Sequence, residues 1–313
     1  MSAAAPTAAA LERLESLVKS KEISSVPGPL LIVGGDSDPN TRRVVDQAHI
    51  RNVDYHFWDT DVEGGLQIAW DFNEPVLDLG DQHLQPAAIF ARCNVFSEDT
   101  NLPARVHQLI QAYALAWPDV RILNRRALTT LNNKSLNLRL ARELGLTIPD
   151  TMVLGDCSPL ATVPDAENRI AKPLDGGAHA ILVSKLNQQM AQSQWPNTSY
   201  FIQERLKGEN LRVFVINQKP YCFHLATQSL DYRDDPMVDV KQISTPAELV
   251  APALALSKQI GFDFCALDFR CRTEFDNPIF LEVNSFPMFV RFDDTGENCL
   301  VDAVLDFLAP GSQ

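Results

Sequence analysis

Asp268, Glu282 and Asn284 fall within one stretch, residues 264–284, FCALDFRCRTEFDNPIFLEVN, which reads as two strands joined by a polar turn. Alternation sets Phe264, Ala266, Asp268 and Arg270 on one face of the first strand and Cys265, Leu267, Phe269 and Cys271 on the other. In the second strand Glu282 and Asn284 point one way, while Ile279, Leu281 and Val283 point into apolar surroundings. Asp276-Asn277-Pro278 suits a hairpin turn, and a register centred near Phe275 places Asp268 directly opposite Glu282. Like charges facing each other across a sheet are unfavourable unless a cation compensates them. Two carboxylates and an amide oxygen suit Mg²⁺, which binds through one or two carboxylates and completes its octahedron with water and substrate phosphates. The pattern points to phosphate handling; a surface hairpin whose acids face water is the competing reading.

Further charges sit in apolar company. Arg212, Phe214 and Ile216 alternate with Leu211, Val213 and Val215, so that strand is expected to be buried on both faces. A buried guanidinium requires an anion, and a phosphate or acyl phosphate serves it bidentately. Lys172 lies on an apolar strand, 170–173, and is followed by Asp175-Gly176-Gly177, a turn whose amides can approach phosphate oxygens. Lys134 opens a helix that Gly145 stops, where backbone N–H groups favour anions; on spacing alone it is equally an exposed lysine. Arg92 ends the strand 87–92, and carboxyl ends of parallel strands line ligand crevices, so it is a candidate for an anionic substrate group or else a surface arginine. Gly34-Gly35-Asp36 lacks the GxGxxG spacing and reads first as a simple turn.

The elements that must position these groups follow from the pattern. Residues 1–28, Ala-rich and ending in Pro-Gly-Pro, read as a tail or a loosely docked helix. Strand 30–33, helix 41–50, strand 53–58, strand 87–92, helix 103–117 and strand 121–124 make a parallel α/β unit over residues 29–125. The rest of the chain holds a helix at 247–260, an Asp-rich segment at 229–240 expected to be a mobile loop, and a closing helix at 300–308 with Asp302 and Asp306 outward.

The chain has 313 residues, 45% hydrophobic and 21% charged, which is ordinary for a soluble protein with a substantial core. Its net charge of −13 argues against nucleic acid, whose phosphates need clustered Lys and Arg. No apolar run is long enough to span a bilayer and the start lacks a secretory pattern, so no membrane partner and a cytoplasmic location are expected. The six cysteines, at 93, 157, 222, 265, 271 and 299, show no metal spacing and read as reduced and structural.

Taken in order, the motifs NKSLNLRLARELGLTIPDT, IAKPLDGG, FIQERLKGENLRVFVI, ALDFR and FLEVNSFP resemble the ATP-grasp superfamily, in particular ligases similar to ribosomal S6 glutamate ligase and glutathione synthetase. The likeness covers roughly residues 128–308. It implies an α/β fold of the α+β ATP-grasp type, with an N-terminal α/β pre-grasp domain over 29–125 followed by two α+β subdomains, central 126–199 and catalytic 200–313, that sandwich ATP. It further implies that Lys134 and Lys172 hold the ATP phosphates under a flap that begins with Asp175, Gly176 and Gly177. Gln203, Glu204 and Leu206 would receive adenine, and Glu209 or Asn210 the ribose. Arg212, with Lys172, would stabilise the transferred phosphoryl group. Asp268, Glu282 and Asn284 would bind one or two Mg²⁺, with Mn²⁺ able to replace it.

The implied activity is ligation: a carboxylate becomes an acyl phosphate and is joined to an amine of an amino acid or peptide. Two alternatives stand beside it, a peptide-modifying ligase forming side-chain ester or amide crosslinks and a non-catalytic nucleotide- or peptide-binding module. Three features depart from the family. Its acidic residue near Arg212 is Asn210 here, the flap is poorer in glycine, and the small-residue loop after Asn284 becomes Ser285-Phe286-Pro287-Met288-Phe289. Arg92, Arg270 and Arg291 are the candidate substrate contacts, and a homo-oligomer is left open.

Overall fold

The computed structural model describes residues 28–311 except 63–67, 81, 97–100, 129–131, 156–157, 175–178, 191–198, 228 and 274–276, and omits the side chains of 101–103, 158–159 and 233. Gly176, Gly177 and Cys157 therefore lie outside the described residues.

Leu30–Gly34 (β1) is buried along its whole length, as a continuous apolar run in the middle of a parallel sheet must be. Helix Pro39–Ile50 (α1) starts at Asp38, whose carboxylate accepts the Asn40 N–H, with Pro39 in the first turn. Tyr55–Asp59 (β2) follows. Ala69–Trp70 (β3), Leu77–Leu79 (β4) and Gln82–Leu84 (β5) then form a small antiparallel sheet that the sequence pattern does not announce. Ala88–Ala91 (β6), Asn101–Ala116 (α2) and Arg121–Ile122 (β7) complete a parallel sheet in the order β2-β1-β6-β7.

Lys134–Glu143 (α3) is capped by Asn133, whose side chain accepts the Leu136 N–H. Thr151–Leu154 (β8), Arg169–Pro173 (β9), Ile181–Leu182 (β10), Val183–Met190 (α4) and Tyr200–Glu204 (β11) build a second, antiparallel sheet in the order β10-β9-β11-β8. The third sheet, β14-β13-β12-β15-β16, comprises Asn210–Ile216 (β12), Lys219–Ala226 (β13), Asp239–Ile243 (β14), Phe264–Arg270 (β15) and Ile279–Ser285 (β16). Ala247–Ile260 (α5), Val290–Asp293 (α6) and Cys299–Leu308 (α7) complete the chain.

The third sheet is covered on both faces. Phe214, Ile216, Phe223, Phe264 and Ala266 pack with Leu30 and Ile32 of β1, Val44 of α1, and Leu300, Val304 and Leu308 of α7. Leu211, Val213, Val215, Cys265, Leu267 and Phe269 pack instead against Leu249, Ala253 and Leu256 of α5 and Leu138 and Ala141 of α3. The alternation expected of β12 and β15 is realised. Because α3 docks beneath this sheet, its first residue, Lys134, arrives beside β16.

Two local expectations are corrected, and a third gains a partner. In β16 the alternation breaks: Asp268 pairs with Glu282 but Phe269 with Phe280, so Leu281 is the extra residue of a bulge and lines the cavity instead of the core. The segment 229–240 is pinned: Leu230 O accepts from Arg270 Nη1 at 2.8 Å, His179 meets Asp234, and Val238 and Val240 are buried. Asp302 and Asp306 do lie on the outer side of α7, but both bind Arg51 of α1, at 3.2 and 2.8 Å. The described cysteines form no disulfide with one another, and Cys222, Cys265 and Cys271 are buried. Among the described residues no helix is long and apolar enough to cross a membrane.

Candidate functional site

The site is assembled across three adjacent strands of the third sheet. Asp268 on β15 faces Arg212 on β12 to one side and Glu282 on β16 to the other. Arg212 Nη1 lies 3.1 Å from Asp268 Oδ1 and donates to the Tyr232 hydroxyl at 2.5 Å. Its guanidinium carbon sits 5.3 Å from the ring centres of both Phe214 and Phe292. An arginine in such an aromatic cage keeps one geometry, since the cation is attracted to each ring face. Asn284 Nδ2 donates to Asp268 Oδ2 at 3.0 Å and to Glu282 Oε1 at 3.2 Å, tying the two carboxylates together.

Two lysines approach Glu282. Lys134 Nζ donates to its Oε2 at 2.8 Å, and Lys172 acts on it through its charge. Burial pushes the Glu282 carboxyl up, but Lys172, Lys134 and the Asn284 amide outweigh burial and hold it down at about 2. The carboxylate is therefore ionised across the physiological range.

Among the described residues no three His, Cys, Asp or Glu side chains cluster in a metal-binding arrangement. The donor set still fits a hard cation. Asp268 and Glu282 are already bridged by one amide, Asn284 brings a further oxygen, and Mg²⁺ draws its remaining ligands from water and phosphate.

These groups open into a cavity of about 360 Å³. One end is lined by Ile170, Lys172, Gln203, Glu204, Leu206 and Asn210, from β9, β11 and the start of β12. Gln203 is buried with Nε2 on Thr151 Oγ1 at 3.1 Å, and Glu204 is fixed by Arg272 at 2.9 Å and by the Asp150 N–H. Of the two residues open for a ribose, Asn210 lines this cavity, and its buried Nδ2 has no partner among the described residues. Glu209 turns to a different recess and pairs with His224 at 2.7 Å.

The three candidate substrate arginines separate. Arg92 is buried, lines the cavity, and binds Asp38 Oδ2 at 2.5 Å and the Phe286 carbonyl at 2.7 Å. Arg270 also lines it, buried and held by the Gly208 and Leu230 carbonyls. Arg291 is not brought to the cavity: it donates to Val238 O at 2.7 Å and braces segment 229–240. Sequence reasoning missed Tyr232 and Asp38. Asp38 carried a signal, an acid directly before a helix-starting proline, whereas Tyr232 sits in a charged loop with no periodicity.

No family model and no curated protein matches the chain. Comparison of structures finds the fold of the ATP-grasp ligases. The ATP-grasp ligase PsnB, complexed with minimal precursor, Mg and ADP, superposes with a TM-score of 0.70 at 19% identity, covering 92% of this chain and 100% of PsnB. The macrocyclase MdnC of Microcystis aeruginosa MRC, bound with precursor peptide MdnA, gives 0.68 at 20% identity over 90% and 99% of the two chains. A RiPP-associated ATP-grasp ligase of Chryseobacterium gregarium, in complex with ADP and a leader and core peptide, gives 0.68 at 16% identity over 92% and 98%.

Proposed function

We propose that the protein is an ATP- and Mg²⁺-dependent ligase that activates a carboxylate as an acyl phosphate and joins it to an amine, releasing ADP and phosphate. The observation that carries this reading is the joined array Lys134–Glu282–Asn284–Asp268–Arg212, built on rigid strands at the floor of a cavity. Phosphoryl transfer is catalysed chiefly by positioning and charge neutralisation, and this array supplies both without a side-chain nucleophile.

In this reading Gln203, Glu204, Leu206 and Asn210 seat the nucleoside, and Lys134 and Lys172 take the phosphates. Bound magnesium, held by Asp268, Glu282 and Asn284, would neutralise charge on the phosphate oxygens. Arg212, caged and already anchored to Asp268, stabilises the phosphoryl group in flight. A substrate carboxylate oxygen bonds to the γ-phosphorus as its bond to the ADP oxygen breaks. The amine then bonds to the acyl carbon, phosphate departs, and the nitrogen loses its proton.

The carboxylate and its nucleophile are read as belonging to a peptide, an amine giving an amide crosslink and a hydroxyl an ester. PsnB, MdnC and the Chryseobacterium ligase, all bound to peptides, favour this over a free amino acid. Incubation with Mg·ATP, a mixture of acidic peptides and hydroxylamine tests the proposal. Hydroxamate and ADP in equal amounts are expected, whereas ADP without hydroxamate, or neither product, contradicts an acyl phosphate.

A further inference from the structure

The cavity continues past Asn284, between the first domain and the loop after β16, where Arg92, Val95, Phe286, Pro287 and Met288 line it. Three features of this end are unusual together. Arg92 spends Nε on Asp38 and Nη1 on the Phe286 and Pro287 carbonyls, while its Nη2 makes no hydrogen bond among the described residues. Phe286 holds a φ of 52°, a left-handed conformation that a bulky side chain adopts only when its surroundings impose it. The Arg92 bond to its carbonyl and the edge of His107, 6.1 Å between ring centres, supply that constraint. Val95 and Met288 leave apolar side chains 61% and 48% exposed at the mouth.

A strained aromatic held beside exposed aliphatic groups makes an apolar wall, and an open guanidinium edge takes a carboxylate oxygen. The lining as a whole favours an anion as well. In a chain of net charge −13 it carries five basic residues, Arg92, Lys134, Lys172, Arg212 and Arg270, against four acids, Glu204, Asp231, Asp268 and Glu282.

We infer that this end of the cavity binds a carboxylate flanked by an apolar side chain, with Arg92 Nη2 on the carboxylate and Val95, Phe286 and Met288 around the side chain. The assignment of this ligand as the ligase's substrate rests on the function proposed above; the binding preference itself does not.

Three probes separate the parts: N-acetylphenylalanine, its amide, and N-acetylserine, each titrated calorimetrically into the full chain with Mg·ADP present. N-acetylphenylalanine should bind roughly tenfold tighter than N-acetylserine, from burial of the ring, and roughly fivefold tighter than its own amide, from loss of the Arg92 contact. The amide probe tests Arg92 without a substitution that would strand Asp38. Met288→Glu, at a half-exposed position that does not hold the fold, should erase the preference over N-acetylserine. Equal binding of the three, binding of none, or a preference that survives Met288→Glu overturns the inference. Mg·ADP binding is measured first: if it occurs and the preference is absent, the subsite alone fails. If the preference appears without nucleotide binding, the ligase reading fails and the subsite stands.

Discussion

The two antiparallel sheets that face the cavity are packed very differently. The C-terminal sheet is enclosed by apolar clusters on both faces, so Arg212 and Asp268 are charges set into a rigid floor. The central sheet is backed on one face by the cluster around Leu160, Ala171, Leu186 and Ile202, gives only Phe201 of β11 to the α3–α5 cluster on the other, and leaves Met152 and Val153 of its edge strand β8 exposed. Lys172 and Gln203 come from this looser sheet. A group that must meet a fleeting transition state needs fixed geometry, while groups that grip a nucleotide can move with it. Floor substitutions should therefore damage turnover and stability together, and central-sheet substitutions should damage binding.

The largest effect is expected at Arg212. Arg212→Met strands Asp268 in a buried setting, at a cost of about 3 kcal/mol in urea unfolding, and should lower ADP formation by about a thousandfold. A variant that loses neither breaks the contrast at its strong end. Lys172→Met should weaken Mg·ATP binding by about tenfold in calorimetry, and because Lys172 helps keep Glu282 ionised it should also lower the unfolding midpoint, by less than Arg212→Met does.

Acid titration links the two sheets, because Glu282 on the floor is held down by lysines from elsewhere. Its folded pKa, about 2, lies below the ordinary value of 4.5. A depressed carboxylate contributes stability above its unfolded pKa and loses it as pH falls through the folded value, so stability should decline between about pH 4.5 and 2. In Lys134→Met the folded value rises toward 4.5, so the loss should be smaller and should finish at a higher pH, followed by thermal unfolding across that range. The smallest effect belongs to the open edge: Met152→Ser should change stability by no more than about 0.5 kcal/mol.

Legibility in the sequence follows the same division. The pairing of Asp268 with Glu282 was readable because alternation and turn chemistry fix a hairpin register locally. The bulge at Leu281 was not, since nothing in that residue distinguishes it from its neighbours. The β3-β4-β5 sheet escaped notice because its strands are only two or three residues long and lie among Asp71, Asn73, Pro75 and Gly80. Arg92, set beside distant partners Asp38 and Phe286, and segment 229–240, pinned by Arg270 and His179, depend on contacts between residues far apart in the chain. Side-chain type announced the chemistry of the floor; its three-dimensional partners had to be seen. Gly35 joins both cases. The turn was legible, but the reason for glycine is that a Cβ there would lie 2.1 Å from Asn94 Nδ2.

If Asp268, Glu282 and Asn284 hold Mg·ATP against Lys134 and Lys172, calorimetric titration of Mg·ATP into the natural chain and into Glu282→Gln should show binding that requires Mg²⁺ and weakens at least tenfold in the variant. A folded protein that ignores Mg·ATP, or that binds it equally well with Gln at position 282, would have no such site.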